Sequence, residues 1–218
     1  MKRKLNPKQT IEDILTVSEK LFVERGFEKT STLDIMNVSG ISKGTIFHHF
    51  KSKEDILIAV LKKHIDIAVE SMQKCIADMK SYTAKEKIEY LLETDFNDPN
   101  KTTLSKMAIS ATSPNIIIAD LKMSLNKIAP ILTDLILEGV NDGSIQTEYP
   151  EECSQLFVMF FSIWCDPVAF ECDYTCLKRR LKFIQHTLKL LGVDVVSDKY
   201  MSECVCFIET LMTNDIKS

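Results

Sequence analysis

The chain has 218 residues, of which 45% are apolar and 27% charged, and carries a net charge of −4. This is ordinary globular composition for one large or two small domains, and the acidic balance excludes a general coat for nucleic acid. Seven cysteines, a charged N-terminus with no apolar core behind it, and a longest apolar run near Leu156 to Trp164 that is far too short for a bilayer predict a cytoplasmic protein with reduced thiols and no membrane partner.

The charge is unevenly spread. Residues 1–55 hold ten cationic and eight anionic side chains, a balance of +2, which leaves −6 on the remainder. A basic head on an acidic body fits a selective nucleic-acid binder. Lys2 to Lys4 form a small basic arm, either a frayed terminus or a contact to DNA. Asn6-Pro7-Lys8-Gln9 predicts a helix start, with Asn6 as cap, Pro7 in the first position and Gln9 completing the capping box. Ile11, Ile14, Leu15, Leu21 and Phe22 follow at helical spacing as far as Gly26.

Ser31 to Lys53, STLDIMNVSGISKGTIFHHFKSK, predicts a helix, a tight turn, a short second helix and the start of a third. Ser31 and Asp34 make a capping box with Asp in place of Glu. Leu33, Ile35, Met36 and Val38 supply apolar contacts, Gly40 stops the helix, Ile41 plugs the corner and Ser42 caps the next helix. In that helix Ile46 and Phe50, four apart, point inward. Lys43, Thr45, Phe47 and His48 then point outward, a set suited to phosphates and base edges. Gly44 weakens the helix but would let its backbone approach DNA. Ser52 and Asp55 cap a long helix whose first turn, with Lys53, would hold a phosphate.

The run GISKGTIFHHFKSKEDIL closely resembles the signature of the tetracycline-repressor (TetR/AcrR) family, with Gly40, Ser42, Gly44, Thr45, Phe47, His49, Phe50, Lys53 and Leu57 in register. The resemblance covers about the first quarter of the chain. The family usually has tyrosine where Phe47 stands, so one phosphate-contacting hydroxyl is absent. It implies an all-α protein: a three-helix helix-turn-helix DNA-binding domain over 1–52, and a larger helical effector-binding and dimerisation domain over 53–218. It implies DNA contacts at Thr32, Lys43, Gly44, Thr45, Phe47, His48, His49 and Lys53.

Beyond the head, residues 53 to about 80 predict one long helix. Further helices are predicted over Lys85–Phe96, Thr103–Ala111, Asn115 to about Gly139 with Pro130 able to kink it, 151–165, Tyr174–Leu191 and Tyr200–Met212, with a turn around Pro99. The segment 151–165 is apolar nearly all round, so it and 174–191 are the predicted four-helix homodimer interface. Met72, Ile76, Phe96, Met107, Met123, Phe160 and Trp164 are candidates to line a pocket for a small-molecule effector.

Cys165, Cys172 and Cys176 are close in sequence, the latter two on one helical face if that helix starts early, but ligand spacing for a metal is absent. Neither a cofactor nor an enzyme signature is present. The reading is a DNA-binding transcription regulator, a homodimer on a palindromic double-stranded operator, released as a repressor by a small-molecule effector. A helical protein-interaction module and a thiol- or metal-responsive regulator are the alternatives.

Overall fold

In the computed structural model, residues 6–95, 105, 107, 113–166, 169, 170 and 172–214 are described, with side chains through Leu211. They form helices joined by turns, with no strand among the described residues. The helices are α1 (Pro7–Arg25), α2 (Thr32–Ser39), α3 (Lys43–His49), α4 (Lys53–Asp78), α5 (Ala84–Asp95), α6 (Pro114–Asp142), α7 (Pro150–Met159), α8 (Tyr174–Leu190) and α9 (Asp198–Asn214). A π-helical turn, Phe160–Trp164, continues α7. The Lys2–Lys4 arm, Phe96 and the turn around Pro99 lie outside the described residues, as does most of the helix expected over Thr103–Ala111, of which Ser105 and Met107 are helical.

Local chemistry sets the first four helices. Asn6 Oδ1 accepts the Lys8 amide at 3.2 Å. Gln9 turns along the helix to Asp13 (2.8 Å) instead of back to the cap, because a carboxylate one turn on offers its amide an acceptor. The Ser31 box closes in both directions: the Asp34 amide donates to Ser31 Oγ at 3.1 Å, and the Ser31 amide donates to Asp34 Oδ2 at 2.8 Å. These bonds, led by the Ser31 hydroxyl, hold the Asp34 carboxyl below its ordinary range. Gly40, at φ 68°, takes the left-handed conformation that ends α2. Ser42 accepts from the Thr45 amide and Ser52 from the Asp55 amide, so α3 and α4 start where the sequence places them.

Leu33 and Val38, expected to pack inward, are 58% and 54% exposed. The eight residues of α2 bury one stripe, Ile35 supported by Met36, and Leu33 lies about 200° round the helix from Ile35. The head core is Ile14, Phe22, Phe27, Ile35, Ile41 and Ile46 with the first turns of α4, Ile56, Leu57, Val60 and Leu61.

At 26 residues, roughly 39 Å of helix, α4 leaves that core and enters the body. A Lys63–Glu12 ion pair and a 2.9 Å hydrogen bond between His64 Nε2 and Glu19 Oε1 tie it to α1, and a Lys127–Asp66 ion pair ties it to α6. The long α6 continues through Pro130 and packs along α4, α5 and α7. Gly139 leaves room for the buried Ile145, whose side chain would stand 2.6–3.0 Å from an added Cβ. Buried Ser154 on α7 meets Thr133 on α6 at 2.6 Å.

The helix expected over 151–165 is not uniform. Within the π-helical turn the Cys165 amide donates to the Phe160 carbonyl, five residues back, at 3.0 Å. Next, Asp173 caps α8 by accepting the Cys176 amide at 2.7 Å, so the helix starts at Tyr174. Cys172 therefore lies just outside the helix, yet its thiol is within hydrogen-bond reach of the Cys176 thiol.

Candidate nucleic-acid interface and effector cavity

In α3, Ile46 is 1% exposed and Phe50 packs against the head core, so the opposite face is fixed outward. Lys43, Gly44, Phe47 and His48 are exposed, and Thr45 and His49 half-buried. The Lys43 ammonium lies 5.6 Å from the Phe47 ring centroid, and the His48 and His49 rings meet edge-on at 5.1 Å. An ammonium, two imidazoles, a hydroxyl, a methyl and an aromatic ring thus project together from a two-turn helix, dimensions that suit a major groove. Thr32 is half-buried in the first turn of α2, and Arg25 stands beside it on Asp34 at 3.6 Å.

Lys53 is placed differently from the expectation. Its ammonium donates to the Phe27 carbonyl at 2.7 Å and lies 4.1 Å from the Phe27 ring centroid. The side chain clamps the link between α1 and α2 onto the start of α4, using the charge internally. That partner is 26 residues away, so no local sequence signal reveals it.

An added Cβ on Gly44 would meet nothing within 4 Å. Gly44→Ala should therefore stabilise the free protein by about 0.5–1 kcal/mol, the usual gain over glycine in a helix. If α3 lies close against DNA, the same change should weaken operator binding about tenfold or more. Thermal melts and a gel-shift titration measure the two effects separately, and unchanged DNA affinity would remove the close approach.

A second site lies in the body, a cavity of about 840 Å³ between α4, α5, α6, α7, the π-helical turn and α9. One α6 row, Asp120, Ser124, Ile128 and Leu132, faces it at four-residue intervals. Phe157, Phe161 and Cys165 face it from the other side. Burial, and secondarily the Asp166 charge, push the Asp120 carboxyl up to about 6. Burial likewise pushes the Cys165 thiol up to about 12, away from the thiolate a redox or metal role needs. Among the described residues no group of three or more His, Cys, Asp or Glu is arranged to hold a metal ion. None of the described helices is long and apolar enough to cross a membrane.

Of the seven lining residues expected, Met72 is on the wall. Ile76, Phe160 and Trp164 pack against the body core, with Trp164 stacked near Phe160 at 5.4 Å and edge-on to Phe183 at 5.7 Å. Met107 is buried with the head core and Met123 packs against it. Asp120, Asp166, Phe157, Phe161 and Tyr200 line the cavity without having been expected to. The four-residue row through Asp120 is the one sequence signal that could have found part of this wall.

The family model described as bacterial regulatory proteins, tetR family, matches residues 14–60. The chain is 27% identical over 141 residues to the fatty acid metabolism regulator protein of Bacillus subtilis, covering 61% of this chain and 69% of that protein. It is 26% identical over 151 residues to the HTH-type transcriptional repressor KstR2 of Rhodococcus jostii, covering 67% and 72%. The fold is shared with the transcriptional regulator FadR from Bacillus subtilis, solved in complex with stearoyl-CoA, at a TM-score of 0.57 and 20% identity over 89% of this chain and 97% of that one. With a helix-turn-helix that matches the tetR family model over residues 14–60, and these transcriptional regulators as relatives, the chain is a DNA-binding transcriptional regulator.

Proposed function

We propose that the chain acts as a homodimer whose two heads read the half-sites of a palindromic operator, and that a small molecule in the 840 Å³ cavity changes the spacing of those heads. The observation that carries the reading is α4. Its first half supplies Ile56, Leu57, Val60 and Leu61 to the head core, and its second half supplies Ile65, Ala68 and Met72 to the cavity wall. A ligand that fits one setting of this helix better than another shifts the head with it. The functional division falls at residues 52 and 53, with α4 serving both sides.

In this reading Lys43, Gly44, Thr45, Phe47, His48 and His49 face the major groove, with Thr32 at its edge. Phe47 makes an apolar contact in place of a phosphate bond. Lys53 holds the head together and does not reach the DNA. The dimer forms through α7, the π-helical turn and α8. Phe183 and Leu190, seven residues apart on one stripe of α8, are 54% and 74% exposed, and Phe183 continues onto Trp164. A pair of apolar stripes meeting across a two-fold axis would cover them. The relative named a repressor, and the one solved with an acyl thioester, support ligand-relieved repression with an amphipathic effector.

A gel-shift on DNA upstream of the chain's own gene, at two salt concentrations with scrambled competitor, tests the reading. A specific complex should weaken with salt at a slope of about 0.9 per phosphate contacted. Thr45→Ala should cost about 1–3 kcal/mol of operator binding, the usual value of a base contact, with fold and dimer intact. Phe183→Glu should instead give a monomer by sedimentation and lose the tight complex on a full operator. A dimer that survives this change would place the interface elsewhere.

A further inference from the structure

We infer that Thr45 reads a thymine of the operator through its γ-methyl group, with Ser42 as the positioning residue that turns the methyl outward. The inference rests on the reading above that α3 lies in the major groove. Ser42 Oγ accepts the Thr45 amide at 3.3 Å as the cap of α3, and the two hydroxyls meet at 2.9 Å. The Thr45 hydroxyl therefore has a partner within the protein before DNA arrives. Thr45 is β-branched, so Oγ1 and Cγ2 hold fixed staggered positions on one carbon. Placing Oγ1 against Ser42, at the N-terminal end of the helix, also places the methyl, and leaves it as the end of the side chain that meets the groove.

The helix face agrees. At about 100° per residue, Thr45 stands about 60° round α3 from His48, which is exposed and nearly opposite the buried Ile46. A threonine is short, so it reaches a base edge only where the backbone comes close. Gly44, beside it, has open space where a side chain would stand, with nothing within 4 Å of an added Cβ. Among the four bases only thymine carries a methyl group in the major groove, and a threonine methyl packs against it there. A hydroxyl already bonded gains little from a base acceptor, because it would exchange one partner for another. A methyl–methyl contact instead removes apolar surface from water on both sides.

The test begins with duplexes selected from a random-sequence pool by the full chain. Each thymine of a selected duplex is then replaced by uracil, which removes the C5 methyl and nothing else, and affinity is measured by gel-shift titration. Replacing one thymine is expected to cost about fourfold, and replacing it in both half-sites about fifteenfold, the value of one buried methyl in each. Thr45→Val, which keeps the methyl, should keep that discrimination. Thr45→Ser, which keeps the hydroxyl, should bind the thymine and uracil duplexes equally, while thymines read by other residues stay sensitive. Ser42→Gly should lower the discrimination at that position with the melting temperature little changed, and Ser42→Thr should restore it, because glycine and threonine both serve as caps. A serine variant that still discriminates, beside a valine variant that binds weakly, would show readout through the hydroxyl and overturn the inference while keeping α3 in the groove. Specific binding with no uracil-sensitive position would overturn it in the same way. Discrimination unchanged in Ser42→Gly would overturn the positioning role. A pool that yields no specific duplex would overturn the groove reading and the inference together.

Discussion

Replacing Asp120 by asparagine is expected to raise the thermal midpoint by roughly 4–10 °C at pH 7.5 and by little at pH 4. The folded-state pKa of about 6 lies above the ordinary 3.8, so folding disfavours the ionised form. Below pH 3.8 the group is protonated in both states and contributes nothing. The penalty grows as pH rises from 3.8 to 6 and is complete above 6. The full shift corresponds to at most about 3 kcal/mol, and the part of the carboxyl that meets cavity water reduces this to about 1.5–3 kcal/mol. Asp166, Asp95, Cys75, Cys165, Tyr200 and Cys204 also face the cavity. They are common to both proteins and cancel in the comparison. Circular-dichroism melts of both proteins from pH 4 to 8 give the difference directly. A constant offset, or none, would mean that Asp120 is solvated in the fold. Perturbed carboxyls collect at functional sites, which accords with the effector role proposed for this cavity.

The head was legible because its determinants are local. The reciprocal bonds of Ser31 and Asp34, the left-handed turn at Gly40 and the cap at Ser42 each act within four residues. The inward placing of Ile46 follows from helical period alone. The Lys53 bond was not legible because its acceptor, the Phe27 carbonyl, is brought near only by the tertiary fold. The cavity was mostly illegible for a related reason. A helix stripe facing a cavity and one facing solid core carry the same apolar period, so Trp164 and Met107 looked as suitable as Met72. The π-helical turn adds a further break in register: after Phe160 the residues no longer follow a 3.6 period, and Phe161 takes the wall position that Phe160 was expected to hold. Asp120 does carry a signal, a carboxylate in an otherwise weakly polar row at 120, 124, 128 and 132.

Gly192→Ala is expected to be the most damaging small change in the body, at about 4 kcal/mol or more, or to prevent folding. Gly192 has φ 84°, which costs an alanine about 1–2 kcal/mol. Its added Cβ would also lie 1.6 Å from the Gln146 carbonyl oxygen, a distance no relaxation of side chains can relieve. The linker at Gln146 and Thr147 would have to move, breaking the bond in which the Gln146 amide donates to the Gly192 carbonyl at 3.2 Å. Val193, Val195 and Val196, buried just beyond, would be drawn out of the core. Gly143→Ala is the control: φ is 80° there too, yet nothing stands within 4 Å of the added atom, so only the 1–2 kcal/mol conformational cost is expected. Urea unfolding of the two variants separates the terms, and equal losses would show that the crossing of the two linkers is loose. The crossing also has a functional consequence. It fixes the end of α8 against the connection between α6 and α7, and so sets the frame of the proposed dimer face. If Gly192→Ala folds at low temperature, it should dimerise poorly and bind a full operator weakly with an unchanged recognition helix. Gly143→Ala should bind the operator normally, because it strains the turn without moving that frame.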